Sequence, residues 1–108
     1  MFHFNFLFMK VQVHAVHFSA DQKLIDFIRR KLGKLETFYD RMVGGEVFLR
    51  LNNEGVENKT VEISLKVPGS TLFAKEQARS FEAATDMATE ALRNQLKKFK
   101  TKLRPGRV

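Results

Sequence analysis

Apolar and polar residues alternate with a period of two over residues 10–18. Val11, Val13 and Ala15 face one way and Gln12, His14 and Val16 the other, as in a half-buried strand. The period then changes. Leu24, Ile28, Leu32, Leu35 and Tyr39 recur at helical spacing, and Phe27 and Phe38 widen the stripe. Ser19, followed three residues later by Gln22, reads as a capping box, so a helix is expected over about 20–39, ending before Gly44-Gly45. Two-residue alternation returns at Val47, Leu49 and Leu51, and again at Val61, Ile63, Leu65 and Val67, with a last strand expected over residues 71–77. Asn52-Asn53-Glu54-Gly55 and Pro68-Gly69 are turn chemistry, the second suited to a type II turn with Gly at positive φ. The short connections make these three strands an antiparallel meander. Ser80 is placed to cap a second helix. Its face is drawn by Phe81, Ala84, Thr85, Ala88, Leu92, Leu96, Phe99 and Leu103 before Pro105-Gly106 ends it.

The order β-α-β-β-β-α, with two amphipathic helices and alternating strands, predicts an α+β fold. It is a single domain with one four-stranded sheet and both helices on one face. A chain of 108 residues, 44% hydrophobic and with eleven Phe, suffices for one core. No apolar run approaches the length of a membrane span. Residues 1–8, MFHFNFLF, fit neither a capping nor a targeting pattern. They are expected to be an N-terminal extension to a domain at 9–104, with 105–108 a short tail. Either Met9 is the functional start, or the leader is an extra edge segment or an apolar tail.

Charge changes the picture. Residues 1–92 hold twelve Lys/Arg and twelve Asp/Glu, so the net charge of +7 resides in Arg93, Lys97, Lys98, Lys100, Lys102, Arg104 and Arg107. On a helical wheel Glu82, Asp86 and Glu90 precede Arg93, Lys97, Lys100 and Arg104 on one face. Bases in a last turn complement the helix dipole, and a Glu90–Arg93 pair would add to that. Seven bases without an acid exceed that need and point to a polyanion, nucleic acid before others. Lys23, Arg30 and Lys34 edge the apolar stripe of the first helix, with Lys31 nearer the core. This edge reads either as an extension of the positive surface or as a solvated face balanced by Asp26 and Glu36.

Catalytic chemistry has little to stand on. Cysteine is absent, which removes thiol nucleophiles, thiolate metal sites and disulfides and fits a reducing cytosol. His14 and His17, three apart on the expected strand, would point to opposite faces and could not chelate one metal. Gly44-Gly45 lacks the helix and Lys of a phosphate loop, and no Ser sits on a nucleophile elbow. The expectation is a protein that is not an enzyme, with no cofactor, no metal and no small-molecule substrate.

Three stretches, in order, resemble one family. MKVQVHAVHFSAD from Met9 is similar to its first strand and helix cap. LIDFIRRKLGKLETFYDR is similar to its first helix, with a basic-Lys-Leu-x-Lys-Leu-Glu core at Arg30 to Glu36. SFEAATDMATEALRNQLKKFKTKL is similar to its last helix, with a Lys-x-Lys-x-Lys tail at Lys98, Lys100 and Lys102. The family is that of the bacterial ribosome hibernation promoting factors, also called ribosome-associated inhibitors or sigma-54 modulation proteins. The resemblance implies a cytoplasmic protein that binds the small ribosomal subunit, and its ribosomal RNA, at the decoding region. There it would block transfer RNA and messenger RNA and inhibit translation in stationary phase or stress. Arg30, Lys31, Lys34, Lys98, Lys100 and Lys102 match the family motif. Arg93, Lys97 and Arg104 belong to the same charged segment. Two positions depart from the pattern: Ala91, where many relatives carry Lys, and Arg79-Ser80, where many carry an acid, so that Arg79 is expected as an added phosphate contact. The chain resembles a short form, which would need a second factor for ribosome pairing. Two other readings stay open: a general double-stranded RNA-binding module, and an adaptor for an acidic protein partner. The acidic start of the last helix argues against the first of these.

Overall fold

The computed structural model describes residues 2–5, 9–52 and 55–102. The elements are β1 (Phe2–Asn5), β2 (Lys10–Val16), α1 (Gln22–Phe38), β3 (Gly44–Leu51), β4 (Lys59–Val67), β5 (Ser70–Ala78) and α2 (Phe81–Lys102). The α+β architecture is as expected, but the sheet has five strands, not four, in the order β1-β2-β3-β4-β5. The added strand comes from the leader: Phe2↔Val13 and Asn5↔Lys10 bound an antiparallel ladder. The edge-segment reading of the leader therefore holds for Phe2–Asn5. Its Phe2 side chain is half-buried against the core, which gives this apolar segment a place to pack.

β2 and β3 run parallel, joined by α1 as a crossover helix, and β3, β4 and β5 form the antiparallel meander. Both turns of the sheet's direction leave α1 and α2 running the same way across one face. Val11, Val13, Val47, Leu49, Val61, Ile63 and Leu65 are buried under Ile28, Leu32, Leu92 and Leu96 in a single core. Each fully buried Leu or Ile contributes about 1.5–3 kcal/mol of apolar transfer free energy. No helix among the described residues is long and apolar enough to cross a membrane.

Local starts and stops differ from the sequence expectation in two places. β2 ends at Val16, not Phe18, because His17 adopts φ 64, a left-handed conformation that a strand cannot continue through. Phe18 then stacks on Phe81, the rings 5.0 Å apart and 3° from parallel, which ties the β2–α1 connection to the start of α2. The helix starts later than the predicted box at Ser19. Asp21 is the N-cap, its Oδ1 accepting from the Leu24 amide at 2.8 Å, and Gln22 donates to Asp26 instead of reaching back. The capping box at Ser19 is therefore absent. At the second helix the predicted cap holds: Ser80 Oγ accepts from the Ala83 amide at 3.0 Å. The Pro68-Gly69 turn has Gly69 at φ 79, as a type II turn requires. Pro105-Gly106, the predicted stop of α2, lies outside the described residues.

Candidate nucleic-acid interface

Two amphipathic helices packed in parallel on a sheet leave a groove between their outer shoulders, and the side chains that flank each apolar stripe line it. Here the contacts step in the same direction along both helices. Lys31 on α1 pairs with Asp86 on α2 through Nζ and Oδ1 at 2.7 Å. About two turns further along α1, Phe38 at its end meets Arg93 and Lys100, which lie about two and four turns beyond Asp86 on α2. The groove of about 370 Å³ between these points is lined by Lys31, Lys34, Leu35, Asp86, Thr89, Glu90 and Arg93.

Charge is graded along the groove. At its near end Lys31 is matched by Asp86, and a half-exposed pair of this kind contributes little to stability and leaves little net field. Arg93 does not pair with Glu90 as the sequence allowed. Its guanidinium sits 4.8 Å from the centre of the Phe38 ring. Lys100 Nζ sits 4.4 Å from the same ring and donates to the Phe38 carbonyl at 3.1 Å. Phe38 thus gathers two cations, one helical turn pair apart, beside the C-terminal end of α1. The carbonyls that end both helices carry partial negative charge, which stabilises cations there.

The predicted site residues divide by position. Lys34, Arg93, Lys97, Lys98, Lys100 and Lys102 are all exposed, and they lie at or toward the C-terminal ends of the two helices, which the parallel arrangement brings to one end of the molecule. From Arg93 to Lys102 the axial distance along α2 is about 14 Å. Arg30 is exposed on α1 with its guanidinium 5.7 Å from the Phe27 ring, and Lys31 Nζ lies 5.4 Å from that ring. Arg79 is not brought into this cluster. It sits in the bend before α2, separated from Lys102 by the whole helix, about 33 Å. Arg104 lies outside the described residues. Sequence reading missed the part played by Phe38, which it assigned only to the apolar stripe. The i, i+7 spacing of Arg93 and Lys100 was the signal that both point to one place.

The fold and this end of the groove define a small α+β domain with a positive pole built from two helix ends. Among the described residues no group of His, Asp or Glu is placed to hold a metal ion. His17, lying past β2, does not share a strand with His14, so the opposite-faces reading of that pair does not apply. The family model for the sigma 54 modulation protein / S30EA ribosomal protein matches residues 11–104, and the chain belongs to that family. A ribosome hibernation promoting factor of Pseudomonas putida is 31% identical over 94 residues, covering 87% of this chain and 89% of that protein. A ribosome hibernation promotion factor of Bacillus subtilis is 27% identical and covers 88% of this chain but 50% of its own length. Among solved structures, a ribosomal subunit interface protein from Coxiella burnetii aligns with a TM-score of 0.76 at 22% identity, over 84% of this chain and 97% of that one. The N-terminal domain of Thermus thermophilus Protein Y aligns with a TM-score of 0.71 at 24% identity, over 82% of this chain and 94% of that one. At these identities the two structures establish the likeness of fold.

Proposed function

We propose that this protein is a non-enzymatic ribosome hibernation factor. It binds the small ribosomal subunit through ribosomal RNA at the decoding region, competes with transfer RNA and messenger RNA, and holds translation off during stationary phase or stress. The observation that carries the reading is the clustering of Lys34, Arg93, Lys97, Lys98, Lys100 and Lys102 at one pole of a chain whose family and relatives bear ribosomal names. Each such side chain meets a phosphate as a point charge or a fork, and together they release counterions from the RNA on binding. The acids Asp86 and Glu90 line the other end of the groove and give the binding surface a direction, with RNA favoured at the helix C-termini. Pairing of ribosomes through a second factor belongs to the same reading.

The test is co-sedimentation of the protein with purified small subunits over a range of salt, with initiator transfer RNA as competitor. Binding should fall steeply as salt rises, and transfer RNA in the peptidyl site should displace the protein. Simultaneous tight binding of both, or cleavage of the ribosomal RNA, would overturn the mechanism. Equal affinity for free duplex RNA would favour the general RNA-binding module instead.

A further inference from the structure

The face of the sheet turned away from the helices holds a second polar concavity. Outward positions on β2, β3 and β4 meet in one row: Lys10 pairs with Gly44 and Gly44 with Lys66. The two lysines therefore flank a residue with no side chain, their backbones about 10 Å apart by two inter-strand spacings. Above Gly44 is a cleft of about 570 Å³, walled also by Gln12, Ser64 and Glu46. That volume is within the range of small-molecule sites.

Gly44 is not required by the backbone or by packing. It is in an ordinary strand conformation, and a Cβ there would approach nothing closer than the Lys10 carbonyl oxygen at 3.5 Å. Its neighbour Gly45 is different: a Cβ would fall 2.9 Å from Leu65 Cδ2 and 3.0 Å from the Ser64 carbonyl oxygen, so packing demands glycine. What Gly44 leaves is open space between two cations. Lys10 and Lys66 are exposed and have no ion-pair partner among the described residues. The carboxylate of Glu46 is engaged by His14 Nε2 at 3.1 Å, which draws it toward the next row of the sheet. Two unmatched lysines, a hydroxyl and an amide around a glycine floor suit a phosphate with an attached polar group.

We infer that this cleft binds the phosphate of a nucleotide unit, on the face opposite the helix pole and independently of it. The phosphate comes either from a strand of RNA or from a free nucleotide. The experiment is an amide NMR titration of the full chain carrying K98E and K102E, which removes helix-pole lysines, so that failure of the ribosome reading leaves this result interpretable. The probes are a uridine hexanucleotide and ADP, added separately. Amide shifts at Gly44, Gly45 and Ser64 are expected with one or both probes. Shifts with RNA alone assign the site to a strand, and equal shifts with ADP assign it to a free nucleotide. K10E/K66E should weaken this binding about tenfold or more. For RNA it should also lower the slope of log affinity against log salt by about 1.4, two single-strand contacts at about 0.7 each. Gly44→Leu, which fills the floor without touching a charge, should also abolish the shifts while circular dichroism stays native. No shift at these amides with either probe, or shifts unchanged in K10E/K66E, would overturn the inference.

Discussion

Lys100 is bound to Phe38 twice: its Nζ donates to the Phe38 carbonyl at 3.1 Å and lies 4.4 Å from the centre of the Phe38 ring. The contact joins the end of α1 to the last turns of α2 across 62 residues of sequence. A lysine that reads as one of several RNA contacts therefore also holds the two helix ends together. Lys98 and Lys102, exposed like Lys100, make no such contact.

The lysines of the tail should separate by role. K98E/K102E is expected to lose small-subunit co-sedimentation while its unfolding midpoint stays within experimental error. K100E should lose binding and also lower stability by about 1–2 kcal/mol, the loss of a charged hydrogen bond and a cation–π contact. Urea unfolding beside ribosome sedimentation checks both. Equal stability of the two variants would show that the Phe38 contact carries no weight.

Phe38→Leu should keep the apolar filling of the helix end but remove the ring that gathers Arg93 and Lys100. We expect a loss of about 1 kcal/mol of stability, two exposed cation–π contacts at about 0.5 kcal/mol each. A fall of several-fold in small-subunit affinity should accompany it, because both cations become less ordered. Parallel measurement on Phe38→Tyr, which retains the ring, should give near wild-type values.

The cap of α1 offers a clean choice between two residues. Asp21→Ala should cost about 1 kcal/mol through loss of the acceptor for the Leu24 amide. Ser19→Ala should change little. Thermal unfolding of both variants tests the assignment, and the reverse order would restore the box at Ser19.

The adjacent glycines of β3 should respond in opposite ways. Gly45→Ala drives a Cβ against Leu65 and the Ser64 carbonyl and should destabilise by about 1–3 kcal/mol, as overpacked cores do. Gly44→Ala meets only the Lys10 carbonyl oxygen, at an ordinary contact distance of 3.5 Å, and should be neutral or slightly stabilising, because glycine is a poor strand residue. Denaturant midpoints distinguish them directly.

A chain beginning at Met9 should remain folded. The β2–β3 register from Lys10 to Val16 and the core around Val11 and Val13 do not depend on β1 for their central pairing. Loss of the Phe2 contact and of one edge ladder should lower the midpoint of thermal unfolding by several degrees. Collapse of the cooperative transition would make β1 an essential strand.

Most of the element order was legible because local pattern carries it. The period-two runs around Val11, Val47, Val61 and Ala74 can bury a face only as strands. The helical stripes through Leu32 and Leu92 can bury one only as helices. The charge segregation at the C-terminus was equally plain, since it is a property of the chain and needs no fold. Legibility ended where a residue's role depends on a partner distant in sequence. The leader's alternation of Phe2, His3, Phe4 and Asn5 is too short to announce a strand, and only the free edge of β2 makes it one. Ser19 and Asp21 are both good caps by composition, and in the structure Asp21 takes the place, its carboxylate accepting from the Leu24 amide.

The sequence alone determined that this is one α+β domain with two amphipathic helices and a basic C-terminal segment. Propensity, periodicity and net charge are summed over near neighbours, and near neighbours are what a sequence lists. The tertiary structure decided the rest. It set α1 and α2 parallel, so that Lys34 and the Arg93–Lys102 segment lie toward one end while Arg79 stands about a helix length away. It matched Lys31 to Asp86 and brought Arg93 and Lys100 to one ring. On the far side of the sheet it placed Lys10 and Lys66 on either side of Gly44. Coulomb and dispersion energies fall off with distance in space, and the distance between Lys10 and Lys66 was not a quantity that the 55 residues of intervening chain could express.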